Sequence, residues 1–315
     1  MTLSLQRRTL LRTAALAAPF LARGARAAET FRIGYQKNGF QVVARQRQLV
    51  EAKLKPLGIS VTWTEFSFGP PLLEALRLGN VDFGSVGDTP PIFAQAAKAD
   101  LVYVAAQPSG SSNAAILVPP GSRLDGLADL KGRRVAFARA SSAHNLTIAA
   151  VEQAGLRFSD IVPVQLAPAD AAAAFARGAV DAWTIWDPYY AIAEGQPGVR
   201  TLARAEAITA QNAFVLSSRS YAAANAPVLD AAIAAYAEAA AWSSAHRDQV
   251  AALLSAGTGV PLPAMQRAVD RSRFVIGPLT PEIIAEQQAI ADRFHRIGLI
   301  PAPVRIEDAV WRPSA

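Results

Sequence analysis

The chain contains no cysteine. This absence excludes a thiolate nucleophile, a cysteine-ligated zinc site, an iron–sulfur cluster, a disulfide and a cysteine that carries a lipid anchor. Histidine is almost as scarce, because His144, His246 and His295 are far apart and match no zinc-binding spacing. We therefore expect neither a metal site nor a cofactor.

Long apolar runs are also missing. Hydrophobic residues make up 51% of the chain, but no uninterrupted stretch approaches the roughly 20 residues that a membrane-spanning helix needs. The pattern predicts a globular body without stable membrane insertion. A length of 315 residues is enough for two lobes, each with its own core.

Residues 1–27 have the features of an export signal. A charged segment beginning at Arg7-Arg8 precedes a short, weakly apolar run, and Ala25-Arg26-Ala27 is a typical cleavage site. The arginine pair is typical of twin-arginine signals, and an ordinary secretory signal is the alternative. Both predict a periplasmic protein whose mature chain begins near Ala28.

The export signal also carries most of the excess positive charge. The whole chain has 31 basic and 25 acidic residues, and five of the arginines lie within residues 1–27, which contain no acid. The mature chain is therefore close to neutral. A basic surface for nucleic acid is not predicted.

Strand-like and helix-like periodicities alternate along the mature chain. One β-α-β-α-β series runs from residue 31 to 107, and a second runs from 133 to 185. This order predicts an α/β protein with two lobes, each a mostly parallel sheet flanked by helices. We assign residues 28–117 and 213–315 to lobe 1 and residues 118–212 to lobe 2, joined by two crossing strands near 114–122 and 212–218. A long alanine-rich helix from Pro227 to about Ala256 and a helix over 280–297 are predicted to pack on lobe 1.

The two series contain a local repeat. LGNVDFGSVGDTP (78–90) aligns with RGAVDAWTIWDP (177–188), so that Gly79 matches Gly178, Asp82 matches Asp181 and Asp88 matches Asp187. The alternative explanation is coincidence, because a glycine that ends a helix before a short strand is a common local pattern. Together with the duplicated element order, the repeat indicates two similar lobes.

Three polar segments follow predicted strands, where open α/β sheets bind their ligands. They are Asp88, Asp187 and the turn SSAHN (141–145), which begins a helix. Backbone N–H groups at a helix N-terminus favour an anion, although a serine there is equally typical of a simple cap. Carboxylates repel an anion, so we expect Asp88 and Asp187 mainly to cap the helices that follow. A Ser141–His144 nucleophile pair is the enzymatic alternative, but no G-x-S-x-G motif supports it.

Several segments resemble the aliphatic-sulfonate-binding proteins of ABC importers, which are type II periplasmic binding proteins. They are GYQK (34–37), GDTPPIFAQAAKADLVYV (87–104), LADLKGRRVAF (127–137), SSAHNL (141–146), PADAAAAF (168–175) and DAWTIWDPYY (181–190). The resemblance implies a protein, most simply a monomer, that binds a small organosulfonate between its lobes and delivers it to a membrane permease. It implies no catalytic residue. The implied ligand-binding residues are Gln36, Gly87, Asp88, Thr89, Ser141, Ser142, Ala143, His144, Asn145, Trp183 and Asp187.

The turn departs from the family pattern. Ala140 and Ala143 stand where the family usually has glycine and serine, and Phe40 adds an aromatic residue near the cleft mouth. A taurine, nitrate or pyrimidine-precursor binder therefore remains an alternative. A non-cysteine hydrolase on the same fold is a further one, since related desulfinases rely on a cysteine that this chain does not have.

Overall fold

The computed structural model describes residues 29–108 and 112–312. The predicted export signal lies outside the described residues. Within them, no helix has the length and apolar character needed to cross a membrane.

In the described part of the chain, ten strands form two five-stranded sheets. The strands are β1 (Thr30–Tyr35), β2 (Ser60–Glu65), β3 (Phe83–Gly87), β4 (Leu101–Gln107), β5 (Ala114–Val118), β6 (Arg134–Phe137), β7 (Val162–Gln165), β8 (Ala182–Trp186), β9 (Arg200–Arg204) and β10 (Ala213–Ser218). The first sheet has the order β2-β1-β3-β10-β4 and the second β7-β6-β8-β5-β9. In each, four strands run in the same direction, and the fourth in the order runs antiparallel to both of its neighbours. The two-lobed α/β fold is confirmed.

Among the described residues, twelve α-helices cover the sheets. They are α1 (Phe40–Gln46), α2 (Leu49–Leu54), α3 (Gly69–Arg77), α4 (Thr89–Ala96), α5 (Ser142–Gln153), α6 (Pro168–Ala176), α7 (Tyr189–Glu194), α8 (Arg219–Ala224), α9 (Ala226–Ala245), α10 (Arg247–Thr258), α11 (Leu262–Asp270) and α12 (Pro281–Arg296). The predicted helix from Pro227 to Ala256 is wrong in one respect, because it breaks at His246 into α9 and α10. The residues of α8 to α12 pack against residues of the first sheet.

The strand β5 lies in the second sheet, although its residues fall within the range assigned to lobe 1. It pairs with β8 on one side and β9 on the other. The chain therefore passes between the sheets before Ala114, not after it. The returning strand β10 pairs with β3 and β4 in the first sheet.

The sequence repeat has a structural counterpart in both lobes. The backbone N–H of Arg32 on β1 donates to the Asp82 carboxylate at 2.8 Å, and its guanidinium also contacts this carboxylate and the carbonyl of Gly79. On β6, Arg134 makes the same set of bonds to Asp181, again with a 2.8 Å backbone bond, and to the carbonyl of the matching glycine. Each arginine ties the first strand of its β-α-β-α-β series to the turn before the third strand of that series.

Candidate functional site

A cavity of about 170 Å³ lies between the two lobes. Five of the predicted site residues line it: Gln36, Gly87, Ser141, Ser142 and Asp187. The first two come from the carboxyl ends of β1 and β3, and the others from the second lobe. The ends of strands in both sheets therefore meet at one cavity, as the position of ligand sites in open α/β sheets predicts.

The N-terminus of α5 opens on this cavity without a side-chain cap. Ser141 takes the N-cap position, but its hydroxyl donates to the carbonyl of Ala138 at 2.7 Å and makes no bond to the helix. The first backbone N–H groups of an α-helix have no partner within the helix. The amides of Ser142 and Ala143 are therefore available to an acceptor, with the helix dipole favouring an anion.

Gly87 and Ser142 bring the two lobes into close contact beside the cavity. A Cβ atom placed on Gly87 would collide with the Ser142 hydroxyl oxygen and lie 3.2 Å from its Cβ. Glycine is thus required here for the approach of the two lobes. This requirement is independent of any backbone strain.

Asp88 lies directly behind this contact and is completely buried. Its carboxyl accepts from the hydroxyl of Thr89 at 2.7 Å and from the side-chain amide of Asn145 on α5 at 3.1 Å. Burial raises the pKa of Asp88, although the hydrogen bonds from Thr89, Asn145 and Ser142 oppose the shift. The predicted helix cap is wrong, because this side chain makes no cap bond to α4. It accepts from the other lobe instead.

The amide of Asn145 is held from its other end. Arg293 on α12 donates to the Asn145 oxygen at 2.9 Å, and it also pairs with Glu152 on α5. Gln287, which precedes Arg293 on α12, donates to the carbonyl of Asp88 at 2.6 Å. Helices α5 and α12 are therefore fixed against each other across the boundary between the lobes.

Asp187 occupies the matching position in the second lobe and pairs with a cation from the first. Arg271 contacts its carboxylate at 2.9 Å and Glu194 at 2.6 Å, and its guanidinium lies 3.9 Å from the centre of the Tyr190 ring. The carboxylate also accepts from the backbone N–H of Ala191 in the first turn of α7 at 3.0 Å, although the N-cap position of this helix belongs to Pro188 and not to Asp187. Burial raises the pKa of Asp187 to about 6, although Arg271 opposes the shift.

His144 and Trp183 are core residues. The His144 ring stacks on Phe137 at 4.8 Å, is 1% exposed, and has its pKa lowered to about 4 by burial. It accepts from the backbone N–H of Ala140 at 3.4 Å. The Ser141 hydroxyl donates to the carbonyl of Ala138 and not to His144. The Ser141–His144 nucleophile pair is therefore not formed in this structure. Trp183 packs on Phe175.

The cavity has a second wall that the sequence analysis did not identify. It consists of apolar residues from α1, α10, α11 and the segment after α11: Phe40, Leu254, Met265, Ala268, Val269 and Phe274. Of these, only Phe40 was placed near the cleft from sequence. Arg273 and the hinge amides of Gln107 and Gln211 also line the cavity. Periodicity could identify α11 as a packed helix, but it could not show that its buried face reaches a cavity.

Groups of three or more potential ligands from His, Asp or Glu, positioned to hold a metal ion, are absent from residues 29–108 and 112–312. Among the described residues, the cavity therefore offers a ligand hydrogen-bond donors, the carboxylate of Asp187 paired with Arg271, and an apolar wall.

Comparison with known proteins agrees with this geometry. The family model described as NMT1/THI5 like matches residues 57–250. A putative aliphatic sulfonates-binding protein of Escherichia coli is 45% identical over 288 residues, which cover 91% of this chain and 90% of that protein. A protein of the same description from Bacillus subtilis is 29% identical over 281 residues, 89% of this chain and 85% of that protein.

Two solved structures are similar over nearly the whole described chain. The periplasmic aliphatic sulphonate binding protein SsuA from Escherichia coli has a TM-score of 0.82 at 44% identity and covers 91% of this chain and 93% of its own. The alkanesulfonate-binding protein SsuA from Xanthomonas axonopodis pv. citri, bound to MOPS, has a TM-score of 0.85 at 42% identity and covers 91% and 100%.

The desulfurization enzyme DSZB shares the fold, with a TM-score of 0.64 at 14% identity over 90% of this chain and 96% of its own. That likeness shows the fold alone. The relatives with high identity are all described as binding proteins. The chain belongs to the NMT1/THI5-like family and, within it, to the group of the aliphatic sulfonate-binding proteins.

Proposed function

We propose that this protein binds aliphatic sulfonates in the cavity between its lobes and delivers them to the permease of an ABC importer. The observation that carries the proposal is the uncapped N-terminus of α5, which opens on the cavity beside Ser142. A sulfonate has three acceptor oxygens and a fixed negative charge. It is therefore matched by unpaired N–H donors at the positive end of a helix dipole.

The head group takes its donors from both lobes. In the proposed complex, the backbone amides of Ser142 and Ala143 and the Ser142 hydroxyl donate to sulfonate oxygens from lobe 2, and the side-chain amide of Gln36 does so from lobe 1. The negative charge of Asp187 is offset by Arg271, which contacts it directly. Arg273, which lines the cavity, adds a second cation near the anion.

Delivery to a permease requires export and a cleft that can open. Residues 1–27 are proposed to direct the chain to the periplasm and to be removed near Ala27. Two rigid sheets joined by two crossing segments form a hinged pair, and hinge closure around a ligand is the usual behaviour of this architecture. We propose that the protein is a monomer. Lobe 1 is proposed to comprise residues 28–108 and 213–315, and lobe 2 the segment between them.

Isothermal titration of the mature protein tests the ligand class. The panel is a set of alkanesulfonates with taurine, sulfate and nitrate. We expect saturable binding of at least one alkanesulfonate, tighter than binding of the inorganic anions. The absence of binding by every sulfonate would refute the proposal, and a preference for nitrate would assign the protein to a different ligand.

Two neighbouring serines provide a matched pair for the head-group site. Replacing Ser142 by alanine removes a donor to a charged ligand, worth about 1.5–3 kcal/mol, so the Kd should rise by roughly 10- to 100-fold. In the proposed complex, the Ser142 hydroxyl turns from Asp88 to the sulfonate. Ser141→Ala should change the Kd much less, because the Ser141 hydroxyl stays on the carbonyl of Ala138 within its own turn. Equal effects of the two substitutions would contradict the assigned donors.

A further inference from the structure

The apolar wall of the cavity bears on which sulfonates fit. Six of its residues belong to one continuous hydrophobic cluster in lobe 1 and are 1–5% exposed: Phe40, Leu254, Met265, Ala268, Val269 and Phe274. The proposed donors Ser142 and Gln36 lie outside this cluster. The cavity therefore has a polar part, where the lobes meet, and an apolar part made by lobe 1.

Apart from Phe40, the wall comes from a separate part of the sequence. Met265, Ala268 and Val269 lie on successive turns of α11, so their side chains form one face of that helix. This helix begins after residue 250, where the match to the family model ends. The donors to the head group all lie before that point.

The size of the cavity limits the ligand. Pockets for drug-sized molecules usually measure about 300–1,000 Å³, and this cavity measures about 170 Å³. The sulfonate group itself occupies part of this volume. What remains beside the wall is enough for a short tail only.

From these observations we infer that α11 selects the tail of the ligand. Met265 and Val269 form the end wall for a short, uncharged alkyl chain and set its maximum length. The inference rests on the proposed binding of sulfonates, and it adds the class of tail and the residues that limit it. An ammonium tail is disfavoured, because burying a charge against this wall would cost more than burying a methylene stabilises.

A series of straight-chain sulfonates from methanesulfonate to octanesulfonate tests the inference by titration calorimetry. For the unmodified protein, affinity should rise about fourfold for each methylene that contacts the wall, which corresponds to about 0.8 kcal/mol. It should then fall sharply once the chain exceeds the space. Taurine should bind more weakly than propanesulfonate, which has a similar length.

Met265→Ala should move the longest tolerated chain upward by one or two carbons while methanesulfonate affinity stays within about threefold. Leu229→Ala is the matched control, because Leu229 is fully buried in the same cluster and does not line the cavity. It should leave the chain-length profile unchanged. Ala268→Val narrows the cavity, so it should weaken binding of the longest ligands at least tenfold. This variant keeps the test available if Met265→Ala does not fold.

The outcomes separate the two proposals. If methanesulfonate binds normally but neither variant changes the profile, the wall does not select the tail and the inference is wrong, while the proposed function stands. If the control shifts the profile as Met265→Ala does, general loosening of the core explains the effect and the inference is equally overturned. If no sulfonate binds the unmodified protein, the proposed function itself fails.

Discussion

Asp88 and Asp187 occupy equivalent places in the two lobes, yet their surroundings differ. Each follows the third strand of its β-α-β-α-β series, and each accepts hydrogen bonds from the opposite lobe. Asp88 is completely buried and accepts from the neutral groups of Thr89 and Asn145. Asp187 lines the cavity and contacts the guanidinium of Arg271.

This difference shows how a duplicated element can serve two purposes. In lobe 1 the aspartate is part of the packing between α4 and α5 and is shielded from the cavity. In lobe 2 it lies at the cavity wall, where an unpaired carboxylate would repel an anion. The arginine that offsets its charge comes from lobe 1, so the pair also connects the lobes on the side of α7 and α11.

Removal of Arg271 should have the largest effect on stability of the substitutions considered, because it takes the cation from Asp187. Arg271→Ala leaves the buried carboxylate of Asp187 without its cation and leaves Glu194 with Arg267 alone, at 3.3 Å. The free energy of unfolding at pH 8 should therefore fall by about 3–5 kcal/mol. Arg271 lowers the pKa of Asp187, so its loss raises that pKa further and the deficit should shrink at pH 5. Urea titration at both pH values measures this. Arg77→Ala, at an exposed pair with Glu74, is the control and should change little.

The raised pKa of Asp187 should be detectable in the unmodified protein as a change of its stability with pH. A pKa raised from 3.8 to about 6 means that the folded state binds the proton more tightly. The corresponding stability is complete below pH 3.8 and is lost as the pH rises to 6. Relative to Asp187→Asn, the unmodified protein should therefore lose up to about 3 kcal/mol across this range. A constant difference between the two proteins would show that Arg271 holds the pKa near its ordinary value.

Gly87→Ala should disturb the contact between lobes at the cavity. The added methyl group collides with the Ser142 hydroxyl, and overpacking of this kind costs about 1–3 kcal/mol. Sulfonate affinity should fall as well, because the donors of the two lobes are forced apart. Thermal unfolding of Gly87→Ala and of the double variant with Ser142→Ala measures the clash. Without partial recovery of stability in the double variant, the collision with Ser142 would not be the cause.

The paired arginines Arg32 and Arg134 offer the finest comparison of the lobes. Both make the same bonds, but the side chain of Asp82 is 4% exposed and that of Asp181 is 31% exposed. Arg32→Ala should therefore cost about 1–3 kcal/mol, because a buried carboxylate loses its partner. Arg134→Ala should cost less, because water can replace the guanidinium at Asp181. Equal losses in chemical denaturation would mean that burial of the carboxylate does not decide the cost.

Sequence reasoning predicted what local pattern determines. The repeated glycine and aspartate, the alternating elements and the helix beginning at Ser142 each depend on neighbouring residues. The break at His246 was missed because the segment has no glycine or proline to indicate it. The partner of Asp187 lies 84 residues away, so no local pattern could identify it. The wall formed by α11 was missed for the same reason.

The contacts between lobes also set how tightly a ligand can be held. If only a fraction of the molecules has the lobes together, the apparent Kd equals the intrinsic value divided by that fraction. Bonds such as Arg271–Asp187 and Asn145–Asp88 raise the fraction without touching the ligand. They therefore tune affinity from a distance, but a protein that must release its cargo at a transporter cannot strengthen them without limit. Ion pairs and side-chain hydrogen bonds between the lobes can break and re-form more readily than a continuous apolar interface. They are therefore suited to a cleft that must open repeatedly.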